Sequence, residues 1–97
     1  MSNHTEVLIN AVITNNIELV KILIERELDI IQGNEEKLLT IACERGYIDI
    51  VKYLIEKDID IHINNDKALY IANKYGHMNI VKLLINNGCI LRHIFHE

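Results

Sequence analysis

Proline and tryptophan are absent from this chain, and glycine occurs only four times. Isoleucine and asparagine are abundant instead, a pattern that reads as a base-composition bias toward AT-rich codons. The four glycines are scattered, so no Gly-rich loop is available to cradle a phosphate. No block of Lys or Arg stands out, and 10 basic against 14 acidic residues give a net charge of −4. A nucleic-acid binder shows a basic face, so no nucleic acid is expected as a partner. Charge interrupts the apolar runs every few residues, so no membrane span is expected. The first six residues hold no basic segment leading into an apolar run, and no signal peptide is expected. The two cysteines, Cys43 and Cys89, have no partner spacing. They read as packed, reduced thiols of an intracellular, cytoplasmic protein.

What is present fits one small domain, residues 1–97. The chain is 49% hydrophobic and 25% charged, too apolar for disorder but short enough to limit the core. Its strongest signal is internal repetition. Residues 46–55 read Gly-Tyr-Ile-Asp-Ile-Val-Lys-Tyr-Leu-Ile and recur thirty residues later from Gly76, as Gly-His-Met-Asn-Ile-Val-Lys-Leu-Leu-Ile. A worn copy begins thirty-one residues earlier at Asn15. A fixed period in this range predicts stacked repeats rather than a single wound domain.

Each copy reads as two helices. The first helices are expected over residues 5–14, 37–45 and 67–75, with Ser2 or Thr5 as the first N-cap. Their ends fall at Asn15, Gly46 and Gly76, the residue types best suited to the left-handed turn that stops a helix. The second helices are expected over 18–27, 49–57 and 79–87, and Lys21 and Glu25 lie one turn apart on the first of these. Polar connectors 28–36 and 59–66 separate the pairs. Leu39, Ile41 and Ala42 match Leu69, Ile71 and Ala72, while Leu8 and Ala11 match in the first unit. The apolar positions cover more of each pair than the pair itself can bury, so neighbouring units must cover the rest.

In this register the chain resembles the ankyrin repeat family over nearly its full length. Leu69, Ala72, Gly76, His77, Ile80, Val81, Leu84, Ile85 and Gly88 fall on the family pattern, as do Leu39, Ala42, Gly46, Ile50, Val51, Leu54, Ile55 and Asp60. The resemblance implies an all-α solenoid of three repeats, approximately 5–34, 35–65 and 66–97. The family's Thr-Pro-Leu-His opening is replaced by Lys37-Leu38-Leu39-Thr40 and Lys67-Ala68-Leu69-Tyr70, which puts its hydrogen-bond network in doubt. Glu27 and Asp58 stand where a glycine should close the second helix, at a cost of about 1 kcal/mol if the turn is left-handed. A period below the usual value of about 33 implies finger hairpins reduced to turns. Such compact Ile- and Asn-rich repeats are similar to those of large DNA viruses, which would place the protein in host cytoplasm.

The resemblance also implies a non-catalytic protein-binding module. The family binds through finger tips and the exposed side of the first helices, which line a concave face. By register these are Ile13 and Thr14 in the first unit, Glu36, Glu44 and Arg45 in the second, and Asn65, Asp66, Lys74 and Tyr75 in the third. Tyr75 and Arg45 are the types most often found at interface hot spots. No cofactor and no metal are expected. His93 and His96 have a spacing that suits a metal on a helix, but two ligands at a chain end make a poor site. Cys43 has no paired base and reads as a buried thiol. Glu35-Glu36 and Asp58-Asp60 read as solvated connector positions. The alternative is a self-associating element or part of a longer array, stacking through Ile80, Leu83, Leu84 and Ile85 of the third unit. The apolar tail 90–95 is placed as a partial cap on that face, with a weak homo-oligomer as the other outcome.

Overall fold

The computed structural model describes residues 4–91, and all regular structure among them is helical. The helices are α1 (His4–Ile13), α2 (Ile17–Arg26), α3 (Glu35–Arg45), α4 (Ile48–Glu56), α5 (Ile63–Lys74) and α6 (Met78–Asn86). Each odd-numbered helix packs against its successor, and the pairs stack so that α1, α3 and α5 form one layer and α2, α4 and α6 the other. The stack measures 43 × 23 × 20 Å. Ser2 and the tail positions from residue 92 onward, including His93, His96 and most of the expected cap, lie outside the described residues.

The same three register positions stop the first helix in every pair. Asn15, Gly46 and Gly76 are left-handed, with φ of 57°, 80° and 78°. The next residue then donates its N–H back to the alanine carbonyl: Asn16 to Ala11 at 2.8 Å, Tyr47 to Ala42 at 2.9 Å and His77 to Ala72 at 2.9 Å. This closes the turn by the hydrogen bond of a Schellman motif and satisfies a carbonyl that the helix end would leave open. The alanines themselves are buried where neighbouring helices meet, and a larger side chain there would force the layers apart.

The second helices end in two different ways. Gly88 is left-handed at φ 102°, and Asp58 adopts the same region at φ 61° despite its Cβ. Cys89 and Ile59, the residues that follow, both donate to the carbonyl of a leucine one turn back, Leu84 and Leu54. Glu27 instead has φ −139°, and the chain runs straight into a 3-10 turn at Leu28–Ile31. The first connector therefore holds a short helical turn in place of a hairpin.

The core is a continuous band of aliphatic side chains through all three pairs. Leu8, Val12, Leu38, Leu39 and Leu69 fill the first layer, and Val20, Ile24, Ile50, Leu54, Ile80 and Leu84 fill the second. Burying each such side chain contributes about 1.5–3 kcal/mol. Tyr53 joins this band at the α2–α4 seam: its hydroxyl donates to Glu25 at 2.7 Å, and Lys57 pairs with the same carboxylate at 2.6 Å. Lys57 holds the Glu25 carboxyl below its ordinary range, and burial raises the Tyr53 phenol above its own. Glu25 thus serves the neighbouring repeat. Lys21, expected beside it on the same helix, lies over the Tyr53 ring at 5.7 Å.

Candidate functional site

The C-terminal ends of α1, α3 and α5 stand side by side along one edge of the stack. Thr14, Glu44, Arg45, Lys74 and Tyr75 are exposed there, and Ile13 is half-buried. Two of these positions also hold the stack together through their backbone. The Tyr47 hydroxyl donates to the Ile13 carbonyl at 3.0 Å, and His77 Nε2 lies 2.8 Å from the Glu44 carbonyl. A carbonyl only accepts, so His77 carries its proton on Nε2. The side chains at this edge are left to solvent, except that the Thr14 hydroxyl returns to its own helix at Asn10. Lys74 lies over the Tyr75 ring at 5.6 Å, and Tyr75 keeps 49% of its surface exposed.

Glu36 and Asn65 lie at the other end of the same layer. Eight helical residues separate Glu36 from Glu44, about 12 Å along the axis. Eight of the nine residues named from the sequence therefore form two rows, not one patch. Glu36 is half-buried and paired with Lys67 at 3.1 Å, and that contact holds its carboxyl below the ordinary range. Lys67, which the repeat register did not single out, thus belongs to this row.

Asp66 does not belong to either row. It is 3% exposed, so no partner can read its side chain. The reason lies in the backbone: Asn64, Asn65 and Asp66 are three successive left-handed residues, with φ between 56° and 61°. Such a turn costs a non-glycine residue about 1 kcal/mol or more per position. Here it turns the Asp66 carboxylate inward, where Oδ2 accepts the Ile90 N–H at 3.0 Å and Oδ1 meets His62 Nδ1 at 2.6 Å. Burial works against its ionised form, but the bonds from Ile90 and His62 hold its carboxyl below the ordinary value.

Both cysteines are buried and unpaired. Burial pushes the Cys43 thiol up to about 12, which leaves no thiolate for nucleophilic attack near neutral pH. A groove between the first connector and the end of α4 is lined by Glu35, Glu56, Asp58 and Asp60 with Lys57, and holds no thiol, hydroxyl or imidazole beside a base. No helix among the described residues is long and apolar enough to cross a membrane.

The family description "Ankyrin repeats (3 copies)" matches residues 8–94. No curated protein and no solved structure matches the chain. Proteins of the matching family are in general protein–protein interaction modules and typically non-catalytic. Three helix pairs in fixed register, each closed by the same left-handed turn, agree with that match over most of the sequence, and the chain belongs to the ankyrin repeat family.

Proposed function

We propose that this chain is a non-catalytic scaffold that binds another protein through the exposed edge formed by α1, α3 and α5. The observation that carries the reading is the row Glu44, Arg45, Lys74 and Tyr75: these side chains are exposed at matching register positions, and the neighbouring unit holds the Glu44 carbonyl through His77. Tyr75 offers a large, half-exposed aromatic surface beside a cation, and Arg45 is exposed at the matching end of α3. A rigid stack presents such groups already in place, so binding loses little conformational entropy. Glu36 and Asn65 form a second contact line about 12 Å away, within reach of a partner that spans the layer. The two free thiols favour a reducing, intracellular setting. In affinity capture, Tyr75→Ala combined with Arg45→Ala should lose partners that the wild-type chain retains, at unchanged helicity. The same partners recovered by the double variant would overturn this face as the binding surface.

A second reading is self-association through the third pair. Met78, Ile85, Ile90 and Leu91 are 52%, 46%, 62% and 43% exposed, a concentration of apolar surface on α6 and the segment after it. Sedimentation across a concentration range tests it: a rising mass supports this reading, and a strict monomer at high concentration removes it.

A further inference from the structure

Cys89 follows the left-handed Gly88 that ends α6, and stacking places it beside the connector that leads into α5. Its register equivalent one unit earlier is Ile59, three residues before His62. The Cys89 sulfur lies 3.9 Å from His62 Nδ1, and His62 Nδ1 lies 2.6 Å from Asp66 Oδ1. One nitrogen, one carboxylate oxygen and one sulfur thus fall within 4.8 Å of one another. Two of the three residues are buried, and the third opens to solvent.

We propose that His62 Nδ1, Asp66 Oδ1 and Cys89 Sγ bind one divalent zinc-class cation that clamps the second connector to the end of the third repeat. The donor set is the argument for this class. Thiolate and imidazole select borderline-soft metals, and a carboxylate completes a set common to zinc, whereas calcium and magnesium take oxygen donors. Tetrahedral coordination with bonds of about 2.0–2.3 Å places ligand atoms roughly 3.3–3.6 Å apart. The sulfur–nitrogen distance must then close by a few tenths of an ångström, and the nitrogen–oxygen distance must open by under about 1 Å.

The parts that must stay fixed are fixed, and the part that must move is free. Asp66 is held by the Ile90 N–H on Oδ2, which leaves Oδ1 aimed at the cluster. An outer hydrogen bond of this kind orients a metal-binding carboxylate. Cys89 is held by its own N–H to Leu84. His62 keeps 51% of its side chain exposed, so the ring can swing away from Asp66 without disturbing the core. Binding replaces the thiol proton of Cys89, which leaves to water, and requires the remaining ring proton of His62 on Nε2. Thiolate, carboxylate and neutral imidazole balance the two charges of the cation. The fourth position faces solvent on the His62 side and is open to water.

The test uses the full chain, reduced and freed of metal by a chelator, then titrated with cobalt(II) as a spectroscopic probe and with zinc. The expected result is a thiolate-to-cobalt charge-transfer band that saturates at one equivalent, together with a zinc-dependent rise in Tm. The band should vanish in Cys89→Ser and persist in Cys43→Ser and in the double variant His93→Ala, His96→Ala. His62→Ala, at an exposed position and so folded by far-ultraviolet circular dichroism, should weaken zinc binding by about a hundredfold or more, since loss of supporting partners alone costs 10–100-fold. Absence of the band in the wild-type chain, its survival in Cys89→Ser, or unchanged zinc affinity in His62→Ala would each overturn the proposal. If Cys89→Ser does not fold, the His62→Ala affinity decides.

Discussion

His77 Nε2 donates to the carbonyl of Glu44 across the boundary between the second and third helix pairs, at 2.8 Å. Tyr47 stands one unit earlier in the same register and donates to the Ile13 carbonyl at 3.0 Å. Asn16, the equivalent residue in the first unit, turns its side chain to its own helix and accepts the Leu19 N–H at 3.2 Å. One position therefore does two jobs: a short polar residue caps locally, and a long one ties two repeats.

Removing one tie should show its size. Tyr47→Phe keeps the ring and deletes the hydroxyl, leaving the Ile13 carbonyl to water. We expect a loss of about 1 kcal/mol. In a domain of this length that corresponds to a Tm lower by roughly 4–8 °C. Thermal unfolding followed by circular dichroism reads it, and an unchanged Tm would show that the bond contributes nothing net.

Gly46 and Gly76 share a left-handed backbone but not a neighbourhood. A Cβ on Gly46 would sit 2.7 Å from the His77 ring, whereas a Cβ on Gly76 would meet nothing within 4 Å. Both alanine variants should lose about 1 kcal/mol for the backbone. Gly46→Ala should lose about 1 kcal/mol more, because the ring must move off the Glu44 carbonyl. In a His77→Ala background that difference should disappear. Denaturant unfolding of the wild type, Gly46→Ala, His77→Ala and their combination forms the double-mutant cycle, with Gly76→Ala as the control, and equal losses at the two glycines would refute the clash.

Asp58 is a site for gain. It is left-handed and exposed, and its carboxylate sits at the negative end of α4. Gly88 occupies the matching position one unit later. Asp58→Gly should raise stability by about 0.5–1 kcal/mol through relief of backbone strain and charge. A lowered urea midpoint would show that the side chain stabilises the turn instead.

The Cys43 thiol gives a pH signature. Its pKa rises from the ordinary 9.0 to about 12 in the folded chain, because burial disfavours the thiolate. Between these values the folded state holds a proton that the unfolded state has lost, so unfolding gains from rising pH. This contribution to stability is intact below about 9 and is lost as pH rises through about 12. Unfolding free energy should fall more steeply over that window in the wild-type chain than in Cys43→Ala. Identical slopes would mean the thiol titrates normally.

The parts of the fold visible in the sequence were those that repeat. Asn15, Gly46 and Gly76 marked the helix ends, and Ala11, Ala42 and Ala72 the tight approach between layers, because stacking imposes the same demand on each copy. The buried state of Asp66 was not visible, since three consecutive left-handed residues invert the direction a polar connector side chain would otherwise take. Glu25 misled for a different reason: its partner is set by the distance between repeats, and Lys57 reaches it from the residue just after α4. The surface row of Glu44, Arg45, Lys74 and Tyr75 followed from register, but its separation from Glu36 and Asn65 followed only from helix length. His62 and Cys89 went unnoticed because they lie 27 positions apart. Adding the repeat period to His62 lands within three residues of Cys89, and that near-coincidence was the available signal.

The ties at Tyr47 and His77 run one way, each unit gripping the carbonyl of the unit before it. Such an array has a grammar. The second unit both gives and receives this bond, so a further copy of it can be inserted ahead of the third with every hydroxyl and imidazole still engaged. The third unit gives it through His77 and offers the matching carbonyl of Lys74 to any copy placed after it. The first unit can only receive. Moved to an internal place it would leave its predecessor's carbonyl ungripped, because the Asn16 side chain is spent on its own helix. Shuffled arrays should therefore tolerate duplication of the later units and break cooperativity wherever the first unit is placed inside.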